Sequence, residues 1–362
     1  MVRALARVDL AAIERNCARL AEAAAPAQLC AVVKADGYGH GAAEAARAAR
    51  AAGATWLAVA TAVEAADLRA AGLDGPLLVL GALSGSELGV ALAAGADVVA
   101  WREGFAEEIA RQGGGGVHVK LDTGMGRLGT RDRAEASRVV ELVARTPGLR
   151  LAGAMTHFAT ADEDHDTTFL REQLALFSSW AGELRAEHPG LLLHAANSAA
   201  TLADVDARFG MVRCGVAIYG LDPFQRDPAA VGLEPAMELV SYVAEVKPCA
   251  PGQSAGYGRK FVAGRDTWLG TIPIGYADGV RRALANNAEV MVDGRRVPLV
   301  GSVSMDNITV DLGPDTTVER GAPAVLIGGG VLAEEWAQRL QTINYEVTCG
   351  ISARVPREYH RS

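Results

Sequence analysis

The 362-residue chain lacks several features that would have placed it in a class at once. Its five cysteines, Cys17, Cys30, Cys214, Cys249 and Cys349, are odd in number and widely scattered. No close-spaced pair suggests zinc, so no metal is expected, and the thiols read as reduced groups in a cytoplasmic enzyme. No run reaches the roughly 20 apolar residues that a membrane-spanning helix needs. The first residues, Met1 to Arg7, hold no apolar core long enough for a signal peptide, and none is expected. There is no basic stripe and no interleaved aromatic platform. The net charge is −8, with acids and bases interspersed, which argues against nucleic acid as a partner. What is present is half hydrophobic, over a length too great for one ordinary domain and sufficient for two.

The stretch from Cys30 to Gly41 organises the rest. Four apolar residues, Cys30 to Val33, run straight into Lys34, and a glycine-rich turn follows. An apolar run bounded by turn signals reads as a strand buried on both faces. A lysine at its end sits where a sheet opens to a pocket, and the glycines let backbone turn sharply and approach a ligand. Near apolar walls a lysine loses stabilisation of its charge and becomes a usable nucleophile, suited to a Schiff base with a carbonyl cofactor. The same residues fit equally well a strand-end lysine that snorkels to solvent.

Along the chain, residues 3–9 suggest a short strand, and Asp9 is placed to cap a helix running to about Ala24, with Pro26 as its stop. Apolar runs then recur near 30–34, 55–60, 76–80, 97–101, 117–122, 150–156, 191–196 and 211–218. Segments with helical spacing lie between them, among them 42–52, 61–71, 132–145 and 168–187. Eight strands alternating with helices predict a closed parallel (β/α)8 barrel, with an open doubly wound sheet as the alternative. In such barrels the chemistry gathers at the C-terminal strand ends. Here Lys34 ends the first run, Lys120 and Asp122 the fifth with Arg127 just beyond, and His157 the sixth. Asn197 and Ser198 follow the seventh, and Arg213 lies in the eighth. Polar groups in apolar runs are costly to bury without partners, and five strands ending this way predict one shared site.

Beyond Asp222-Pro223 the pattern changes. Alternating runs at 239–247, 267–274, 288–292, 297–303, 307–312 and 323–328 predict strands, Asp293-Gly294 predicts a hairpin, and one helix is expected at 332–341. The division expected is a barrel over 8–228 and a mostly β domain over 229–362, which residues 1–7 join as a strand. Gly256-Tyr257-Gly258 lies in this second part.

Segments spread along the whole chain carry a family resemblance: AVVKADGYGHG at 31–41, HVKLDTGMGRLG at 118–129, THFATADE at 156–163, ANSAAT at 196–201 and VRCGVAIYGLDP at 212–223. GYGRKF at 256–261, IPIGYADG at 272–279, GSVSMDN at 301–307 and INYEVTCGISARVPR at 343–357 continue it. The chain resembles the alanine racemases, pyridoxal 5'-phosphate enzymes built from an N-terminal barrel and a C-terminal β domain. The resemblance implies racemisation of alanine, D-alanine for peptidoglycan, and a homodimer with its sites at the interface. By that resemblance Lys34 holds the cofactor and is one base, and Tyr257 is the other, supplied by the partner subunit. Arg213 matches the arginine facing the pyridine nitrogen, and His157 the histidine that positions it. Tyr38, Ser198, Gly215, Val216 and Tyr345 match the phosphate cradle. Arg127 matches an arginine near the substrate carboxylate, and Lys120 a lysine that some members carbamylate. Met305 and Asp306 match the substrate-side loop, and Tyr276 an entrance tyrosine. Ser304 stands where many members have cysteine, Asn307 where glutamine is common, and Gly37 where a small side chain is often found.

The chemistry agrees. Racemisation removes a proton from one face of a planar carbanion and returns one to the other, so two bases are needed. Lysine and tyrosine both have ordinary pKa values of about 10. An arginine facing a ring nitrogen can only donate, which keeps the nitrogen unprotonated and disfavours transamination. A broader racemase acting on serine or other amino acids is the alternative nearest to this reading. A barrel decarboxylase with the same cofactor would leave Tyr257 without a role, and a non-catalytic cofactor carrier would not need the second domain.

Overall fold

The computed structural model describes residues 2–163, 167–203 and 206–362. The first strand, β1 (Leu5–Asp9), alternates buried and less buried positions. Asp9 Oδ1 accepts from the Ala11 amide at 2.9 Å and so starts the helix Leu10–Ala24, as the sequence implies.

The apolar runs that follow become short parallel strands: β2 (Gln28–Val32), β3 (Trp56–Val59), β4 (Leu77–Val79), β5 (Asp97–Ala100), β6 (Gly115–Lys120), β7 (Leu149–Met155), β8 (Leu192–His194) and β9 (Met211–Cys214). They form a closed barrel. Closure is made by β2 against β9, with Cys30 opposite Arg213. The strands are buried almost throughout because helices cover their outer faces. Thr61 with Glu64 and Ser84 with Glu87 form reciprocal caps on two of those helices, Ala62–Ala70 and Gly85–Ala93. The open-sheet alternative is thereby excluded. The eighth strand is shorter than its apolar run: it ends at Cys214, and Val216–Tyr219 is a 3-10 turn.

The C-terminal part is a nine-stranded sheet. Its strands are β10 (Met237–Tyr242), β11 (Glu245–Cys249), β14 (Thr267–Ile272), β15 (Ala288–Val292), β16 (Arg295–Val300), β17 (Ile308–Gly313), β18 (Pro323–Ile327) and β19 (Arg357–His360), together with β1. Two short strands, β12 (Ser254–Ala255) and β13 (Phe261–Val262), pair with each other. The run at 239–247 is two strands rather than one. Its halves are far apart in the sheet order β11-β14-β17-β16-β15-β18-β10-β1-β19, and the chain changes partner at Val243 and Ala244, whose amides donate to Ala322 and Thr271. Asp293 and Gly294 both have positive φ, 47° and 74°, as a type I′ hairpin between β15 and β16 requires. Two helices are present, Ala333–Leu340 and Asn344–Cys349, where the sequence suggests one.

Two units are distinguished by their internal packing. One holds Ile13–Tyr38 and Ala42–Ile218; the other holds residues up to Ala12, Gly39–Gly41 and Tyr219–Ser362. Among the described residues no helix is long and apolar enough to cross a membrane.

Candidate active site

Lys34 follows β2 after a single further residue and opens a left-handed turn. Ala35, Asp36, Gly37 and Tyr38 have φ of 52°, 51°, 62° and 53°. Residues with a Cβ lose about 1–2 kcal/mol each in this region, and such strain persists only where the surroundings enforce it. Enforcement comes from two carboxylates. Glu64 accepts from the Ala35 amide at 2.6 Å and from Ala60 and Thr61 at 2.8 and 3.0 Å. Asp36 accepts from the Ala42 amide at 2.9 Å. The loops after β2 and β3 are thus tied together, Lys34 is left half-buried, and Tyr38 is carried inward to a buried position.

Tyr38 meets the loop after β9. A Cβ on Gly215 would overlap the Tyr38 hydroxyl, with Tyr38 Cζ only 2.9 Å away, so this position admits no side chain. Ser198 Oγ accepts from the amides of Gly215 and Ala217 at 3.0 and 3.4 Å. Ser198 itself opens the short helix Ser198–Leu202, capped by Asn197. Two hydroxyls and a tight backbone turn therefore gather in one place, an arrangement suited to an oxyanion held by fixed donors. Val216 continues that turn.

Arg213 is the most constrained cation of the site. Its guanidinium donates to the Thr156 and Ala195 carbonyls at 2.8 and 3.0 Å, to His157 Nδ1 at 3.2 Å and to His194 Nδ1 at 2.8 Å. Burial pulls its pKa down to about 10, which leaves it charged at neutral pH. A guanidinium only donates, so Nδ1 of both histidines accepts and both carry their proton on Nε2. Burial first, and then the charge of Arg213, holds His157 and His194 well below the usual histidine range. Both are neutral.

Lys120, the last residue of β6, is buried. Burial, and next the charges of Arg213 and Arg127, lower its pKa to about 8 against a small opposing pull from Asp122. Only about a tenth of this amine is therefore unprotonated at pH 7, and half of it at about pH 8. The loop beyond it is wound on Asp122, whose carboxylate accepts from the amides of Gly124 and Gly126 and from Arg131 Nε at 3.0–3.3 Å. Arg127 stands exposed on that loop.

The remaining candidates belong to the other unit. Tyr257 is 75% exposed, on a turn fixed by a 2.7 Å hydrogen bond from Ser302 Oγ to its carbonyl. Tyr276 and Met305 are neighbours: the amides of Tyr276 and Ala277 donate to the carbonyls of Ser304 and Met305 at 3.0 Å. Asp306 accepts from Arg354 at 2.8 Å. Tyr345 lies on the helix Asn344–Cys349, which the sequence does not announce. Within the barrel unit, then, Tyr38, Ser198 and Gly215 meet, as do Arg213 and His157, and the charges of Lys34, Lys120 and Arg127 act on His157. Sequence reading does not single out His194, His118 or Asp97. The available signal was a histidine inside an otherwise apolar strand.

Comparison with known proteins follows the same division. Residues 8–223 match the family model for the alanine racemase N-terminal domain, and residues 236–359 the model for its C-terminal domain. The alanine racemase of Thermobifida fusca is 42% identical over 365 residues, covering 98% of this chain and 97% of that one. The crystal structure of the enzyme from D-cycloserine-producing Streptomyces lavendulae superposes with a TM-score of 0.94 at 36% identity, covering 100% of this chain and 98% of that one. The Streptomyces coelicolor structure gives 0.93 at 40% identity, with 99% and 98% covered.

Proposed function

This chain belongs to the alanine racemase family of isomerases, and we propose that it interconverts L-alanine and D-alanine by a two-base mechanism with Lys34 and Tyr257 as the bases. The family uses pyridoxal 5'-phosphate, and the residues present fit it. The hydroxyls of Tyr38 and Ser198 and the tight turn at Gly215 and Val216 gather in one place and suit the phosphate; Tyr345 is assigned to the cradle by the family resemblance alone. The Lys34 amine suits the aldehyde, and the Arg213 guanidinium suits a ring nitrogen that accepts. When bound, the cofactor supplies the conjugated system that takes up the electron pair left by the departing α-proton.

The chain's own residues do the rest. Lys34 takes or returns the proton on one face of the substrate and Tyr257 on the other, as a reaction that needs one proton carrier on each face requires. Arg213 donates and keeps its proton, so the electron sink stays weak and protonation returns to the α-carbon rather than to the ring side. His157, neutral with Nε2–H outward, holds Arg213 in place. Arg127, a cation, is suited to pair with the substrate carboxylate, and Met305, Asp306 and Tyr276 border the substrate. Tyr257 reaches the site from the partner subunit of an isologous homodimer, which would cover a side chain that is mostly exposed on its own protomer. The product serves as D-alanine for peptidoglycan, made in the cytoplasm.

The observation that carries this reading is Arg213: a buried guanidinium held, among the described residues, by carbonyls and neutral imidazoles, which suits an acceptor and not a protonated ring. The test is chiral analysis of either alanine enantiomer incubated with the purified protein in heavy water, beside a panel that includes serine. Racemisation with α-deuterium incorporation is expected. Release of carbon dioxide would indicate a decarboxylase, and alanine left optically pure and unlabelled would refute the reading.

A further inference from the structure

Behind Arg213 a file of polar side chains runs through the barrel interior. Arg213 donates to His194 Nδ1 at 2.8 Å. His194 Nε2 lies 2.8 Å from His118 Nδ1, and His118 Nε2 lies 3.3 Å from Asp97 Oδ2. Both oxygens of Asp97 accept from Arg150 at 2.7 and 2.9 Å. His118 and His194 are fully buried. The rings meet edge to face, centroids 4.9 Å apart, and Trp56 packs on His118 from another side. The barrel also reserves room for the file. A Cβ on Gly116 would overlap the Asp97 carboxylate, and a Cβ on Gly153 would lie 2.8 Å from His118 Cε1 and closer still to Nδ1.

The proton order follows from the two ends. A guanidinium donates and does not accept; an ionised carboxylate accepts and does not donate. From Arg213 inward, His194 Nδ1 must accept, so its proton sits on Nε2 and is donated to His118 Nδ1. The His118 proton then sits on Nε2 and is donated to Asp97. From Asp97 outward the same order results. A pair of neutral imidazoles has two such orders, and both ends select the same one. Burial opposes charge on Asp97, but its bonds from His118 and Arg150 outweigh that and keep it ionised.

We propose that Asp97, His118 and His194 form a positioning relay for Arg213, which fixes both histidines as Nε2–H tautomers and holds the guanidinium in one donor orientation. The assignment rests on the functional reading above, because it concerns how Arg213 meets the cofactor. Each bond in the file polarises the next: the carboxylate makes His118 a better acceptor, and that in turn sharpens the hold of His194 on Arg213. None of the three need touch substrate or cofactor.

The experiment labels the full-length protein with 15N-histidine and records long-range proton–nitrogen correlations, assigned with His118→Gln and His194→Gln. Both rings should report Nε2–H. An Nδ1–H tautomer or an imidazolium at either ring in the resting protein overturns the relay, whether or not alanine is racemised. In parallel, Asp97→Asn should lower kcat for alanine roughly tenfold, as loss of a charged hydrogen-bond partner implies, with KM within about twofold and a shifted His194 signal. A core variant matched for loss of Tm, Val139→Ala in the helix Arg133–Arg145, should move neither. Unchanged kcat in Asp97→Asn, or equal losses in both variants, refutes a role through Arg213. A wild type that fails to racemise alanine yet shows both Nε2–H tautomers would refute the functional reading and leave the relay geometry standing.

Discussion

Replacing Lys120 by methionine tests the electrostatics of the barrel mouth directly. The fall of its pKa from the usual 10.5 to about 8 converts to about 3 kcal/mol of destabilisation of the folded state by the buried charge. Below pH 8 the amine is charged in the folded and the unfolded chain alike, and the folded chain carries the full penalty. Between pH 8 and 10.5 the folded chain has lost the proton that the unfolded chain still holds, so stability rises with pH. Above 10.5 both are neutral and the penalty is gone. The wild type should therefore gain about 3 kcal/mol on Lys120→Met between about pH 7 and pH 10.5. Urea midpoints of both proteins measured across that range, at one chain concentration and in carbon dioxide-free buffer, supply the difference and cancel other titrations. At pH 8, bicarbonate should stabilise the wild type alone, because carbamylation turns a cation near Arg127 and Arg213 into an anion. A difference that does not change with pH would show that Lys120 is solvated and would refute the reasoning.

Three further outcomes are expected. Gly215→Ala forces a methyl group into the Tyr38 hydroxyl and should lower unfolding free energy by about 1–3 kcal/mol, with cofactor affinity falling too; a neutral result in denaturant titration and cofactor binding would show that Tyr38 is free to move. Ala35→Gly relieves a left-handed φ of 52° and should raise stability by about 0.5–1 kcal/mol, read as a higher urea midpoint; a lower midpoint would count against the strained turn. A purified mixed dimer of Lys34→Ala and Tyr257→Ala chains should show about half the wild-type activity, since one of its two sites keeps both bases, whereas each homodimer is inactive; no recovery would place both bases within one chain.

The barrel was legible because its strands are buried on both faces, which leaves apolar runs at regular intervals. Lys34, Lys120, His157 and Arg213 stood out because polar side chains in or at the end of such runs are costly to bury without partners. The limits have physical causes. The run at 239–247 reads as one strand because alternation records which side chains are buried and not which strand is the partner. The helix Asn344–Cys349 is too short to display a period. His118 and His194 are not singled out by the sequence, since a contact between residues 118 and 194 leaves no trace in either segment alone. The left-handed turn at Ala35 and Asp36 contradicts local preference and is imposed by Glu64, a residue distant in sequence.

β1 has a consequence for synthesis. Leu5–Asp9 leaves the ribosome long before its partners, because in the finished sheet it lies between β10 and β19, with Leu5 opposite Val240 and Asp9 opposite His360. At about 5–20 residues per second, one neighbour arrives roughly ten seconds or more after β1, and the other later still. Until then the strand carries unpaired backbone on both edges. The barrel segments between Ile13 and Ile218 have all their partners well before that, so the nascent chain can close its barrel while its first strand still waits for its last.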